Sequence, residues 1–273
     1  MADHIDTLGI IAGDLALPLV LAQQARALGV RRLVAVGFEG LSNRDLEPLV
    51  DKMIWLRLGQ TSKMIRAFVE NGVKHCVMVG KIAPKSFLDA RPDLRTIAVV
   101  FKLKERNAHT LFGALADELQ KDGVKLIEPI PWLQPMMPGP GFHLGAKLSD
   151  KQREDVAFGF RIAKEVSRLE IGQSVVVKIG AVLAVEGFEG TDKCLLRGGE
   201  LSGQDGGAVA VKVAKEKHDM RWDIPCVGAQ TLETCVTARL SVLAIEAGKT
   251  LLLDPERVEA LAKKHKIGVI SVG

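Results

Sequence analysis

The chain contains no tyrosine, and only three tryptophans and nine phenylalanines among 273 residues. Surfaces that stack single-stranded nucleic acid need aromatic faces, so that class of partner is disfavoured. The charge points the same way. Lysine and arginine total 37 against 33 acidic residues, and a net charge of +4 is too small to mark a nucleic-acid surface, although it suits a small anionic ligand. The four cysteines, Cys76, Cys194, Cys226 and Cys235, show no C-x-x-C spacing and no accompanying paired-histidine motif, which argues against structural zinc. No apolar run reaches the roughly 20 residues that a membrane-spanning helix needs. The opening residues Met1–Asp6 are polar and lack a signal-peptide pattern, so a reducing, cytoplasmic compartment is the expectation. What is present is ordinary for a folded protein: 47% hydrophobic and 26% charged residues, in a length that suits one large domain or two of common size.

The N-terminal half alternates strand and helix patterns. TLGIIA (7–12), RLVAVGF (32–38), residues 53–58, HCVMVG (75–80) and residues 124–127 read as strands. Leu17, Leu21, Ala25 and Leu28, then Met64 and Phe68, then Leu111, Leu115 and Leu119, stripe the helices. Alternation of this kind predicts a parallel sheet with helices on both faces. Five prolines between Pro129 and Pro140 predict an extended linker. Ser149 with Gln152 then reads as a capping box that opens a new helix. The second half is also mixed: strands at 174–178, 181–185, 208–213, 250–253 and 267–272, a helix striped by Leu232, Val236, Leu240 and Leu243, and a helix capped by Asp254 with Pro255 at its first position. The expected organisation is α/β throughout: a Rossmann-like domain over residues 1–130, a linker over 131–147 and a second α/β domain over 148–273.

Three segments carry chemistry. GIIAGDLALP (9–18) puts a glycine between a first strand and a helix, where backbone amides and the helix N-terminus favour an anion. It is not G-x-G-x-x-G, because Asp14 and Ala16 replace glycines, and on pattern alone a plain tight strand-to-helix turn is the better reading. AVEGFEGTD (184–192) places Glu186, Glu189, Thr191 and Asp192 at a strand end, where carboxylates can hold Mg²⁺. The plain alternative makes Thr191 a helix cap and Asp192 a first-turn acid. KVAKEKHDMRWDIPCVG (212–228) is the richest. If extended, it puts Asp219, Arg221 and Asp223 on one face, able to orient water, hold a metal and clamp a phosphate, with Lys212 and Lys215 nearby. A solvated edge strand is the alternative. Between the last two segments, GGELSGQDGG (198–207) reads as a mobile loop.

Taken together, GIIAGDLALP, the linker position, AVEGFEGTD and the K-x-x-K…D-x-R-x-D-x-P-x-x-G run resemble the LpxI-type UDP-2,3-diacylglucosamine pyrophosphatase family of the lipid A pathway, over nearly the whole chain. The resemblance implies a two-domain hydrolase that converts UDP-2,3-diacylglucosamine to UMP and 2,3-diacylglucosamine 1-phosphate. It implies dependence on Mg²⁺, with Mn²⁺ as the alternative ion, a substrate held between the domains, and a homodimer in the cytoplasm with peripheral inner-membrane contact as an option. It makes Asp223 the catalytic carboxylate, with Arg221 and Asp219 beside it. Gly13, Asp14, Leu17, Pro18, Gly80, Glu189, Gly190, Thr191, Lys212 and Lys215 become substrate-binding positions, and Asp192 and Asp219 candidate metal ligands. The chain departs from the family pattern at Asp14, Glu216, His218 and Asn107–His109. The rival from another class is a non-catalytic protein that binds a nucleotide or nucleotide sugar. The apolar cleft needed for two acyl chains is expected in the C-terminal half.

Overall fold

The computed structural model describes residues 5–82, 92–103, 108–214 and 219–273. These form two compact units: residues up to Leu133 together with Asp219–Trp222, and Gln134–His218 together with Asp223–Gly273.

In the first unit, β1 (Thr7–Ala12), β2 (Arg32–Phe38), β3 (Lys52–Leu56), β4 (His75–Val79) and β5 (Lys125–Leu126) make an all-parallel sheet of order β3-β2-β1-β4-β5. That is the Rossmann-like order, with the direction of winding reversing at β1 and β4. The crossover helices are α1 (Leu17–Ala27) between β1 and β2, α2 (Thr61–Glu70) between β3 and β4, and α3 (Leu94–Lys102) with α4 (Ala108–Lys121) between β4 and β5. Right-handed crossovers that wind in opposite directions place α1 on one face and α2 and α4 on the other. The second face is a core of Ile11, Val34, Val36, Met64, Phe68, Cys76 and Leu119. Continuous burial along β1 and β2 explains why both read as unbroken apolar runs rather than alternating ones.

The second unit has a six-stranded mixed sheet of order β6-β13-β11-β9-β7-β8. Its strands are β6 (His143–Gly145), β7 (Ser174–Lys178), β8 (Ala181–Val185), β9 (Val209–Lys212), β11 (Val242–Glu246) and β13 (Gly268–Val272), and a short parallel pair is formed by β10 (Cys226–Val227) and β12 (Leu251–Leu252). Strands β9, β11 and β13 are mutually parallel, and β6 and β7 are antiparallel to their neighbours. Helix α6 (Asp150–Arg168) covers one face through Val156, Ala163 and Val166. The other face carries α7 (Thr191–Leu201), α8 (Ala229–Thr237) and α9 (Pro255–His265) through Leu195, Leu232, Cys235 and Val258. The capping box at α6 forms as its sequence predicts: the Ser149 hydroxyl accepts from the Gln152 N–H and the Gln152 side chain accepts from the Ser149 N–H. Such a cap contributes about 1 kcal/mol.

Several expectations are corrected. The proline-rich stretch is not extended throughout. Residues Ile130–Leu133 form a one-turn helix (α5), where Pro131 loses no helical hydrogen bond because a first-turn N–H has no partner in the helix, and β6 is already part of the second sheet. The stripe from Leu232 to Leu243 is not one helix. α8 ends at Thr237, Arg239 turns the chain with φ +53°, and Leu243 belongs to β11. The glycine-rich segment is not a loop from its start, since Gly198 and Gly199 are buried inside α7. A Cβ on Gly198 would lie 2.5 Å from that of Val176, and one on Gly199 would lie 2.2 Å from the Ala238 carbonyl oxygen. These glycines let α7 press onto β7 and onto the end of α8. Gly199→Val should therefore destabilise the protein by about 1–3 kcal/mol, or more if the backbone cannot shift. Urea denaturation with unchanged m-value would check this.

Candidate phosphate site and family

The carboxyl ends of β8 and β9 gather the polar groups of the second unit. Ser174 is paired in register with Lys212, and the Glu186 N–H bonds to the Ser174 carbonyl at 2.9 Å. Period two along the strands puts Glu186, Ser174 and Lys212 on the face of Ala184, Val176 and Ala210, which is the face covered by α7 and α8. Lys212 is only 7% exposed. Its ammonium has three donors, and among the described residues it makes one hydrogen bond, 3.1 Å to the Cys226 carbonyl, and no ion pair. Buried cations are ordinarily paired, and among the described residues this one has no anionic partner.

Two helix N-termini add to it. Gly190 (φ +85°) precedes α7 and Gly228 precedes α8, and neither supplies a side-chain cap. The positive φ at Gly190 is one that glycine adopts freely. Burial pushes the Cys226 thiol up, and of the charges acting on it, Lys212 pulls it down while Asp223 pushes it further up. Both charges thus reach the same sulfur.

Other residues of AVEGFEGTD have settled partners. Glu189 accepts from Arg197 at 2.6 Å and from the Gly187 N–H at 3.1 Å, and its carboxyl is held below the ordinary range by Arg197 first. It shapes the turn. Thr191 is the first residue of α7 rather than its cap, and its hydroxyl donates to Glu186 Oε1 at 3.1 Å. Asp192 sits in the first turn of α7, where an acid complements the dipole. Glu186 is 7% exposed, and its Oε2 has no hydrogen-bond partner among the described residues. Phe188, fully exposed beside these groups, is a feature the sequence reading passed over.

Asp219 and Arg221 belong with the first unit and do not form an extended row. Residues 220–222 are a turn, and the strand begins after Pro225 rather than ending before it. The cause is local. Asp219 Oδ1 accepts from the Arg221 N–H at 3.1 Å and its Nε at 2.8 Å, while Oδ2 accepts from Nη2 at 2.7 Å. A short acidic side chain that bonds the backbone two residues on makes a turn. The bond to Asp219 raises the Arg221 guanidinium, which also lies 4.5 Å over the Trp222 ring. Trp222 in turn packs on Phe112.

In the first unit, the ends of β1 and β4 touch. Gly13 N–H donates to Val79 and Asp14 N–H to Lys81, each at 2.8 Å, and a Cβ on Gly13 would lie 2.7 Å from the Gly80 backbone. Gly13 and Gly80 serve this close approach, and Leu17 and Pro18 are buried in the core. Asp14 accepts from the Leu15 N–H, and Leu15 takes φ +71°, a strained value for leucine. Lys215, Glu216, His218 and Asn107 lie outside the described residues. Burial pushes the Cys194 and Cys235 thiols up to about 12, which fits packing roles rather than thiol chemistry.

The carboxyl ends of these strands thus hold a buried ammonium with no ion pair among the described residues, and the N-termini of two helices without side-chain caps. The chain belongs to the LpxI family: residues 7–135 match the LpxI N-terminal domain and residues 139–270 the LpxI C-terminal domain. A relative from Caulobacter vibrioides, named UDP-2,3-diacylglucosamine pyrophosphatase LpxI, is 30% identical over 277 residues, covering 97% of each chain. Among solved structures, the biotin carboxylase domain of a thermophilic 2-oxoglutarate carboxylase bound to ADP aligns at 14% identity and a TM-score of 0.29. The corresponding domain from Hydrogenobacter thermophilus aligns at 13% and 0.28, over 73% of this chain and 42% of that one. The chain spans about a third of the length of the first of these, over 63% of its own, and likeness at that level bears no weight on the fold. Among the described residues no helix is long and apolar enough to cross a membrane.

Proposed function

We propose that this protein hydrolyses the pyrophosphate bond of UDP-2,3-diacylglucosamine, releasing UMP and 2,3-diacylglucosamine 1-phosphate for lipid A synthesis. The observation that carries the reading is the buried Lys212 ammonium, which has no carboxylate partner among the described residues. Family membership and the name of the Caulobacter relative supply the substrate class. A pyrophosphate diester carries about two negative charges, and its hydrolysis needs charge neutralisation and a positioned water more than covalent chemistry. Lys212 and the N-termini of α7 and α8 meet the charge. Asp223 orients the water, whose oxygen bonds to one phosphorus as the bridging P–O bond breaks and the other phosphate departs.

Mg²⁺ belongs to this proposal, and the donor set fits a hard cation in part. Glu186 offers a buried carboxylate oxygen without a partner among the described residues, next to the Thr191 hydroxyl. Asp219 fits poorly, because both its oxygens already accept from Arg221. Among the described residues no group of three acidic, histidine or cysteine side chains converges, so an ion here would be held by one or two carboxylates, waters and substrate phosphate. Mg²⁺, when bound, neutralises phosphate charge. UMP release should therefore stop in excess EDTA and return on adding Mg²⁺ or Mn²⁺. Full turnover in EDTA would remove the metal from the account, and tight substrate binding without UMP at any metal concentration would favour a nucleotide-sugar-binding regulator.

A further inference from the structure

The phosphate chemistry leaves a large apolar feature unused. A cavity of about 490 Å³ lies in the first unit, walled by Ile11 and Met78 of the sheet, Phe112 and Leu115 of α4, and Ile97 and Val100 of α3. Its outer wall is unusual. Ile97, Val100 and Phe101 recur at helical spacing, so α3 has an apolar face. Such a face ordinarily buries itself against the core. Yet no residue of α3 is buried, and Phe101, which also lines the cavity, is 76% exposed. The cavity therefore opens to the surface beside Phe101.

Polar ties hold α3 in place. Asp93 caps its N-terminus through the Thr96 N–H at 2.9 Å and also accepts from the Ser62 N–H of α2 at 2.7 Å. Arg95 donates to Glu118 of α4 at 2.7 Å and to Asp122. The Thr96 hydroxyl bonds to the Gly59 carbonyl and to Thr61. These contacts fix the helix by its edges while its apolar face looks onto an apolar space of ligand size. A well-packed core does not keep a void this large.

We propose that this cavity is an acyl-chain site, occupied by hydrocarbon of the lipid substrate and entered past Phe101. The proposal rests on the reading of the substrate as a diacylated sugar nucleotide, and it assigns the chains to the first unit where the sequence led to expect the C-terminal half. Each methylene moved from water into such a wall is worth roughly fourfold in affinity. A chain here sets how tightly a substrate is held and leaves the phosphate step itself unchanged.

The test fills the space. Val100→Trp from α3 and, separately, Leu115→Phe from α4 are compared with wild type on long-chain UDP-2,3-diacylglucosamine and on its diacetyl analogue. In parallel, the fluorescent fatty acid cis-parinaric acid is titrated into each protein, with thermal melting as the folding control. The expected result is a KM for the long-chain substrate raised about tenfold or more, kcat within about twofold, kcat/KM for the diacetyl analogue unchanged, and parinarate binding lost. Wild-type cleavage with unchanged long-chain KM and unchanged parinarate binding in both folded variants would overturn the proposal. If wild type cleaves neither substrate, the functional reading fails, while the parinarate titration still decides what the cavity binds.

Discussion

Asp223→Ala should lower UMP release by roughly two to four orders of magnitude, the usual cost of losing a group that handles the attacking water or its proton. Asp223, like Lys212, acts electrostatically on the Cys226 thiol. Alanine keeps the backbone and removes only the carboxylate. Substrate affinity should survive, because Lys212 and the uncapped ends of α7 and α8 are untouched. It should even tighten somewhat, since a negative charge near a dianion has gone. A purely structural Asp223 gives the opposite pattern: a lower melting temperature with turnover intact. Measuring turnover, substrate Kd and melting on one preparation separates the two.

Lys212→Met should be nearly as damaging to activity and yet harmless to the fold. Methionine keeps most of the buried stem and removes the ammonium. Losing one preorganised donor to developing phosphate charge costs roughly 10²–10³ in rate. Stability should hold or rise, because a buried charge without a carboxylate partner among the described residues is relieved, against the loss of one hydrogen bond to the Cys226 carbonyl. A structural lysine would behave the other way, with destabilisation the main effect. The readouts are kcat/KM for UDP-2,3-diacylglucosamine and the urea midpoint.

The parallel sheet was legible because β1, β2 and β4 are buried on both faces and so read as unbroken apolar runs closed by turns. The strand-end placement of Glu186 was legible for a related reason, since polar residues directly after such runs fall at the carboxyl edge. The D-x-R-x-D run misled because alternation of period two looks like a strand. The competing force was Asp219, whose carboxylate closes a turn on Arg221. Gly198 and Gly199 misled because glycine most often marks a loop, whereas here its missing Cβ is what Val176 and Ala238 require. The acyl cavity could not be read at all. Its walls run from Ile11 to Glu118, and no local pattern tells a helix face that packs from one that looks onto a void.

The central claim is cleavage of one particular bond, and product analysis tests it most directly. Purified wild-type protein is incubated with UDP-2,3-diacylglucosamine and Mg²⁺, and the products are identified by mass spectrometry. The account predicts UMP and 2,3-diacylglucosamine 1-phosphate in equal amounts. Release of UDP with the free diacylated sugar, or recovery of intact substrate from a folded protein that binds it, would contradict it.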